Sequence, residues 1–354
     1  MMTKRIDRKI QLTAYWTIIL LGAGWIMFKG GFIFLPLIFA FFLAVLLSPV
    51  AEFFGKYIKA RWISISLAYI VCFVPLILLF YLFALQVVDI AFNLPNIGKS
   101  LSMEIHDIYM SIRKHFRVLP SNEVTFLKDN MESLVSGPIA FLGKGIISSS
   151  STLLSLGLAF VFAFFFLLYD RKIVYAINTN FSRKEGNFIE TLEKIKYTVK
   201  AYVLGLGKVI LILSVLNSVG LYLIGLEYAV FFGTLAGLLA IIPFIGTTLG
   251  ALLPFLYSMA TYEDPWQPAI VVIYYIIIQQ LEGNVITPKI IGDEVDVNPL
   301  VAIISMLFFG AFWGIPGVIL SIPLISIVKI ILEGFKNTHC IAWLIGSNFN
   351  GKEE

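Results

Sequence analysis

Long apolar runs separated by short polar or basic stretches occupy most of the chain. Runs at about Leu12–Phe28, Phe32–Val50, Ile63–Phe92, Ser151–Tyr169, Val203–Leu226 and Trp266–Leu281 come near or exceed the ~20 helical residues that cross a bilayer core. They predict six spanning helices. After Tyr228 the pattern changes. Apolar arms Tyr228–Ile242 and Leu249–Thr261 flank the break Ile242-Pro243-Phe244-Ile245-Gly246-Thr247-Thr248, and arms Leu300–Trp313 and Gly317–Leu332 flank Trp313-Gly314-Ile315-Pro316-Gly317. Arms of roughly 15 residues suit a re-entrant hairpin better than two crossings. The expected fold is therefore an all-α polytopic membrane protein with about six full transmembrane helices and two re-entrant hairpins of opposite orientation, or eight or more spans if the hairpins cross.

The polar stretches divide the chain. Residues 1–92 form a three-span region and 93–150 a helical insertion, with Leu101, Ile105, Ile108 and Ile112 at helical spacing. Residues 151–169 are the fourth span. Residues 170–202 form a second insertion whose Phe188, Leu192, Ile195, Val199 and Tyr202 share a face, suited either to anionic lipid or to packing beneath the membrane domain. Residues 203–334 make the core carrying both hairpins, and 335–354 a tail. On the fifth span Ser214, Asn217 and Ser218 share a face, a spacing that more often bonds a neighbouring helix than binds a substrate.

Charge orients these pieces. Lys4, Arg5, Arg8 and Lys9 precede the first span, Lys56, Lys59 and Arg61 follow the second, and eight Lys/Arg lie between Arg171 and Lys208. The positive-inside tendency places all three groups, and both chain ends, in the cytoplasm, with 93–150 outside. The first run is too long for a signal-peptide core and reads as a retained anchor. On this count the two hairpins enter from opposite faces, an inverted arrangement suited to alternating access.

Composition agrees with this class and removes others. Hydrophobic residues make up 59% of the 354 and charged residues 14%, against about 25% charged in soluble domains. The net charge of +4 is accounted for by orientation, and no nucleic-acid partner is expected. The two cysteines and three histidines form no metal-ligand or disulfide pattern, so no metal site or cofactor is expected. Enzyme signatures are absent: there is no HExxH, GxSxG or phosphate-binding P-loop.

Candidate chemistry concentrates where helices break, because freed backbone groups in lipid must face protein, ions or a watery cavity. At the first break the candidates for a small polar solute or monovalent cation are Pro243, Gly246, Thr247 and Thr248. In the connector Gln279–Pro299 they are Gln279, Gln280, Glu282, Asn284, Thr287 and Pro288. Glu282 ends an apolar span, where an ionised carboxylate is costly unless paired, hydrated or protonated. It is either a site for H+ or Na+ coupling or an interfacial acid neutralised by Lys289. Asp293, Glu294 and Asp296 read as a hydrated loop. Gly250, Gly310, Gly314, Pro316 and Gly317 are the hinge and hairpin residues, and Gly233/Gly237, Gly246/Gly250 and Gly310/Gly314 have the small-residue spacing that lets helices approach closely.

Taken in order, Ile242-Pro243-Phe244-Ile245-Gly246, Gly250, Pro254, Gln280-Leu281-Glu282-Gly283-Asn284, Thr287-Pro288-Lys289, Gly292, Asn298-Pro299, Trp313-Gly314-Ile315-Pro316-Gly317 and Pro323 resemble the AI-2E transporter family. The amino half matches it only in span layout. The resemblance implies a bacterial inner-membrane protein, homo-oligomeric and pentameric, associated with export of the small polar signal autoinducer-2, a dihydroxypentanedione-derived molecule. Some members behave as sodium or lithium/proton antiporters. Phe244 and Asn298 stand where the family often has Tyr and His, which leaves the substrate open. Three readings follow: an exporter of a small hydrophilic molecule, a cation/proton antiporter, and a non-transporting membrane scaffold that recruits partners through its insertions.

Overall fold

A computed structural model describes residues 15, 17–19, 22, 24–86, 150–181, 188–243, 246–262, 264–291, 295–335 and 338–347, and the regular elements among them are helical. The amphipathic pattern of 93–149, the basic amino end, Phe244, Gly292, Asp293 and Glu294 lie outside the described residues. The helices are α1 (Thr17–Lys29), α2 (Gly31–Gly55), α3 (Arg61–Gln86), α4 (Ser150–Phe181), α5 (Phe188–Ile224), α6 (Ala229–Leu239), α7 (Gly246–Thr261), α8 (Trp266–Leu281), a π-helical turn (Glu282–Ile286), α9 (Thr287–Ile291), α10 (Pro299–Glu333) and α11 (His339–Ile345). Six described segments are long and apolar enough to cross a membrane: α2, α3, Leu154–Ala176, Glu190–Ile224, Trp266–Ile291 and α10.

Two boundaries differ from the sequence pattern. The second insertion's amphipathic helix and the fifth span are one continuous helix, α5, of 37 residues. Ala201, Tyr202 and Val203 carry no breaker, so nothing in the backbone ends a helix where the hydropathy changes. Likewise the span beginning at Trp266 does not stop at Leu281. It continues through the π turn into α9, as far as Ile291.

The described residues fall into two compact units. In the one that includes Tyr197–Asp296, α6 and α7 form an antiparallel hairpin. Gly250 abuts Ala236, and Phe232 packs on Tyr257 with ring centroids 5.1 Å apart. Small residues set the spacing of α6 on α5. A Cβ on Gly237 would lie 2.2 Å from the Ser214 Oγ, and one on Gly233 would lie 2.2 Å from the Ser218 backbone nitrogen. The serine face of the fifth span thus serves helix packing, as its spacing suggested.

The base of this hairpin is held by polar bonds. Gly225 and Tyr228 both adopt left-handed backbone, φ 85° and 58°, and the turn between them is gripped by α7 and the residue that follows it. Tyr262 Oη donates to the Gly225 carbonyl (2.7 Å) and accepts from Glu227 N–H (3.1 Å), while Tyr257 Oη donates to Glu227 Oε2 (2.9 Å). Left-handed backbone at a tyrosine is costly, and such conformations persist only where surrounding contacts over-determine them.

In the other unit α10 is bent sharply. A straight helix of 35 residues would be about 52 Å long, far beyond a bilayer core. At Gly314 the backbone turns to φ 63°, ψ −144°, a region that a Cβ strongly disfavours. Gly317 then reaches Phe309, a Cβ there falling 2.0 Å from the Phe309 carbonyl oxygen. In a straight helix residues eight apart are about 12 Å apart along the axis. The bend is seated on the first helices, with Trp313 Nε1 donating to the Met27 carbonyl at 3.2 Å and Phe312 packing edge-on to Phe28.

The two ends of α10 are tied together. Asn298 caps it, its Oδ1 accepting from Val301 N–H (2.9 Å) ahead of Pro299 in the first turn, a sequence placement suited to helix starts. The same side chain donates from Nδ2 to the Leu344 carbonyl of α11 (2.6 Å), and the Thr338 hydroxyl donates to the Leu332 carbonyl (2.7 Å). Lys194 on α5 pairs with Glu333 at 2.6 Å, and Lys329 approaches the same carboxylate at 3.5 Å.

The glycine contacts yield a stability prediction. Gly237→Val should lower stability by about 1–3 kcal/mol or more through overpacking, read as the thermal unfolding midpoint in detergent. Gly207→Val, at a position with open space around the added Cβ, should leave that midpoint nearly unchanged.

Candidate functional site

Pro243 has no amide to donate and sits in the break between α6 and α7, where the chain reverses. The turn closes through Ile242 N–H to the Leu239 carbonyl and Gly246 N–H to the Ile242 carbonyl, both 2.9 Å. Gly246 opens α7, buried so tightly against Leu239 that a Cβ would fall 1.9 Å from that residue's carbonyl oxygen. Thr247 and Thr248 therefore occupy the first turn of α7, where helical N–H groups have no intrahelical acceptor. Thr247 is half-buried and Thr248 exposed.

The partner of this tip is the π turn that follows α8. Thr287 N–H bonds to the Glu282 carbonyl five residues back, the widened ring that marks π-helix and that recurs at functional sites. Gly283, with open space around it, lies within this turn. Asn284 Nδ2 donates to both the carbonyl and the Oε1 of Gln280, at 3.0 and 2.9 Å, so the amide of one site residue fixes that of another.

Glu282 is half-buried, and the Thr247 side chain lies beside its carboxylate. Residues 35 positions apart in the sequence are thus brought together, one from the tip of the broken segment and one from the connector. Among the described residues Glu282 makes no ion pair with Lys289, which is exposed. Gln279, Gln280, Asn284 and Pro288 are exposed, and Thr287 is half-buried at the start of α9. Tight packing supports the turn from behind: a Cβ on Gly205 of α5 would meet the Ile290 carbonyl at 3.1 Å.

The hinge candidates divide between the two units. Gly250 is a packing contact within the first hairpin, whereas Gly310, Gly314, Pro316 and Gly317 shape the bend of α10. Among the described residues no three His, Cys, Asp or Glu side chains converge as a metal cluster. What the site offers is one carboxylate, a hydroxyl, two side-chain amides and the first-turn amides of α7. Such a set can hold a proton or monovalent cation, or hydrogen-bond a small polar solute.

Sequence pattern alone did not single out the Glu227–Tyr257–Tyr262 clamp or the capping role of Asn298. Two tyrosines five residues apart near the end of an apolar arm, opposite a Gly-x-Glu turn, were the available signal for the clamp. Asn before Pro at the start of an apolar run was the signal for the cap.

Comparison with known proteins places this chain in a wider group. Residues 15–337 match the description AI-2E family transporter. The chain is similar to "Putative transport protein YrrI" of Bacillus subtilis (strain 168), 26% identical over 331 residues and covering 88% of each chain. It is also similar to "AI-2 transport protein TqsA" of Escherichia coli (strain K12), 23% identical over 314 residues, covering 88% of this chain and 89% of the other.

The Thr247–Glu282 contact can be tested directly. Thr247→Val removes the hydroxyl at nearly constant volume and should reduce transport by reconstituted protein about tenfold, the scale of one hydrogen bond to a charged group. Thr247→Ser keeps the hydroxyl and should retain most of the flux. Unchanged flux in Thr247→Val would mean that the site does not use the hydroxyl.

Proposed function

The chain belongs to the AI-2E transporter family, and from that premise we propose that this multi-pass membrane protein is a secondary transporter of the bacterial inner membrane, with both ends cytoplasmic. It exports a small hydrophilic molecule, autoinducer-2 or a solute of similar size and polarity, by alternating access. The observation that carries the reading is the meeting of Thr247, at the tip of a broken apolar segment, with Glu282 in a π turn. A carboxylate kept at the end of an apolar helix without an ion pair is costly, and such groups in membrane segments usually mark solute or ion pathways. The two bent segments act as gates whose bases are cross-braced by polar bonds. A homo-oligomeric assembly is part of the same reading.

A cation/proton antiporter is the second reading, favoured by the same carboxylate. In that mechanism Glu282 takes up a proton in one state and exchanges it for Na+ in the other, with the Thr247 hydroxyl and exposed amides as neutral oxygen ligands.

Purified protein in liposomes, assayed for efflux of 4,5-dihydroxy-2,3-pentanedione and for sodium-driven proton movement, separates the two. Export predicts the first flux and antiport the second. In either case Glu282→Gln should insert normally and lose at least about tenfold of the flux. If neither flux exceeds that of empty liposomes, transport is wrong and a membrane scaffold takes its place.

A further inference from the structure

Two polar side chains in the core of this hairpin unit are not used by the site above. Asn217 on α5 is 2% exposed and Tyr275 on α8 is 6% exposed. Among the described residues neither Asn217 Oδ1 nor Tyr275 Oη has a hydrogen-bond partner. Buried polar groups are nearly always paired, so each unmatched one calls for an explanation.

The helix register sets these two groups at one level. Leu213, Asn217 and Leu221 form one buried stripe on α5, following the four-residue repeat of a helix face. Leu213 packs with Ile278 of α8, and Leu221 packs in the cluster that holds Val271 and Tyr275. Asn217, midway between the two leucines, therefore comes level with Tyr275. The bond from Tyr274 Oη to the Leu216 carbonyl, 2.7 Å, and the close approach of that ring to Gly220 pin the register.

Glu282 lies seven residues beyond Tyr275 on the same face of the helix, about 10 Å farther along its axis. Between them stands Ile278, buried with Val209 and Leu213. The order along this face is thus a carboxylate site, an apolar plug and a second pair of polar groups.

We propose that Asn217 and Tyr275 form a second binding station on the transport route, for an uncharged solute bearing hydroxyl or carbonyl groups, and that Ile278, Leu213 and Val209 close the passage between it and Glu282. This rests on the transport reading above. An amide oxygen accepts and a phenol donates or accepts, which matches the groups of a small polyol or hydroxyketone. Neither side chain carries a charge to offset a dehydrated cation, so a bare ion fits the place poorly.

Cysteine labelling in membrane vesicles tests the proposal without depending on the transported solute. Cys72 and Cys340, the free cysteines, are first replaced by serine, and neutral 2-hydroxyethyl methanethiosulfonate serves as the probe. Asn217→Cys should react although its position is buried, and adding Ile278→Ala should accelerate labelling about tenfold, as a passage widened by a large-to-small core substitution would allow. Leu221→Cys, one turn away on the same stripe and 0% exposed, should stay unreactive. Should Asn217→Cys fail to fold, Tyr275→Cys carries the same expectation. Labelling of the station no faster than of Leu221→Cys, with and without Ile278→Ala, would overturn the proposal and leave Asn217 and Tyr275 as buried packing residues. Absent flux in the unmodified protein would instead overturn the transport reading, and labelling would still report whether the station opens.

Discussion

A peptide group released from its helix inside hydrocarbon costs several kcal/mol unless protein, water or an ion takes it up. Each broken segment here meets that requirement in its own way. At the first break, backbone bonds from Ala240, Ile241, Ile242 and Gly246 to carbonyls three or four residues back close the reversal. Gly246 then starts a new helix pressed against the end of the old one. At the second, Gly314 takes the whole change of direction in one residue. The first-turn groups of α7 are the portion left over, and they are presented where Glu282 and the π turn lie. The candidate site is the place where the cost of breaking a helix in an apolar setting is put to use.

The same structure distributes stiffness unevenly. The base of the first hairpin is clamped by the Glu227, Tyr257 and Tyr262 bonds, and its shank is locked to α5 by glycine-on-serine contacts too close for any added carbon. Its tip is held by short turn bonds and by Thr247. In the other unit, Asn298, Thr338 and the Lys194–Glu333 pair brace the two ends of α10. A gate needs a few residues that absorb a backbone change while the rest moves as a body, and in the first hairpin the braced base and shank leave the turn at Pro243 as that place.

Much of this was legible in the sequence, for particular physical reasons. Pro243 with Gly246, and Gly314 with Pro316, announced the two breaks, because neither residue type continues a helix at low cost. Short arms announced that the chain reverses. Glu282 was conspicuous as a carboxylate at the end of an apolar run. Other features were hidden because they depend on tertiary partners. Nothing local says that α5 continues through Tyr202, since hydropathy changes there while helix propensity does not. A π turn is a one-residue adjustment of hydrogen bonding that leaves the apolar period before it intact. The pairing of Thr247 with Glu282 is a contact across 35 positions, and only the packing of α7 on α8 creates it. The clamp at Glu227 stayed hidden too, because a tyrosine in an apolar arm reads as core until its hydroxyl is seen to leave that core.

The central claim is that the tip of the first hairpin rests beside Glu282. Its most direct measurement is cross-linking of a Thr247→Cys/Glu282→Cys protein lacking Cys72 and Cys340, using a short bifunctional methanethiosulfonate in native membranes. An intramolecular link that forms readily and opens on reduction is the expected result, with Thr261→Cys/Glu282→Cys, which places one thiol at the far end of α7, remaining unlinked. No link between positions 247 and 282, or equal linking of both pairs, would contradict the account.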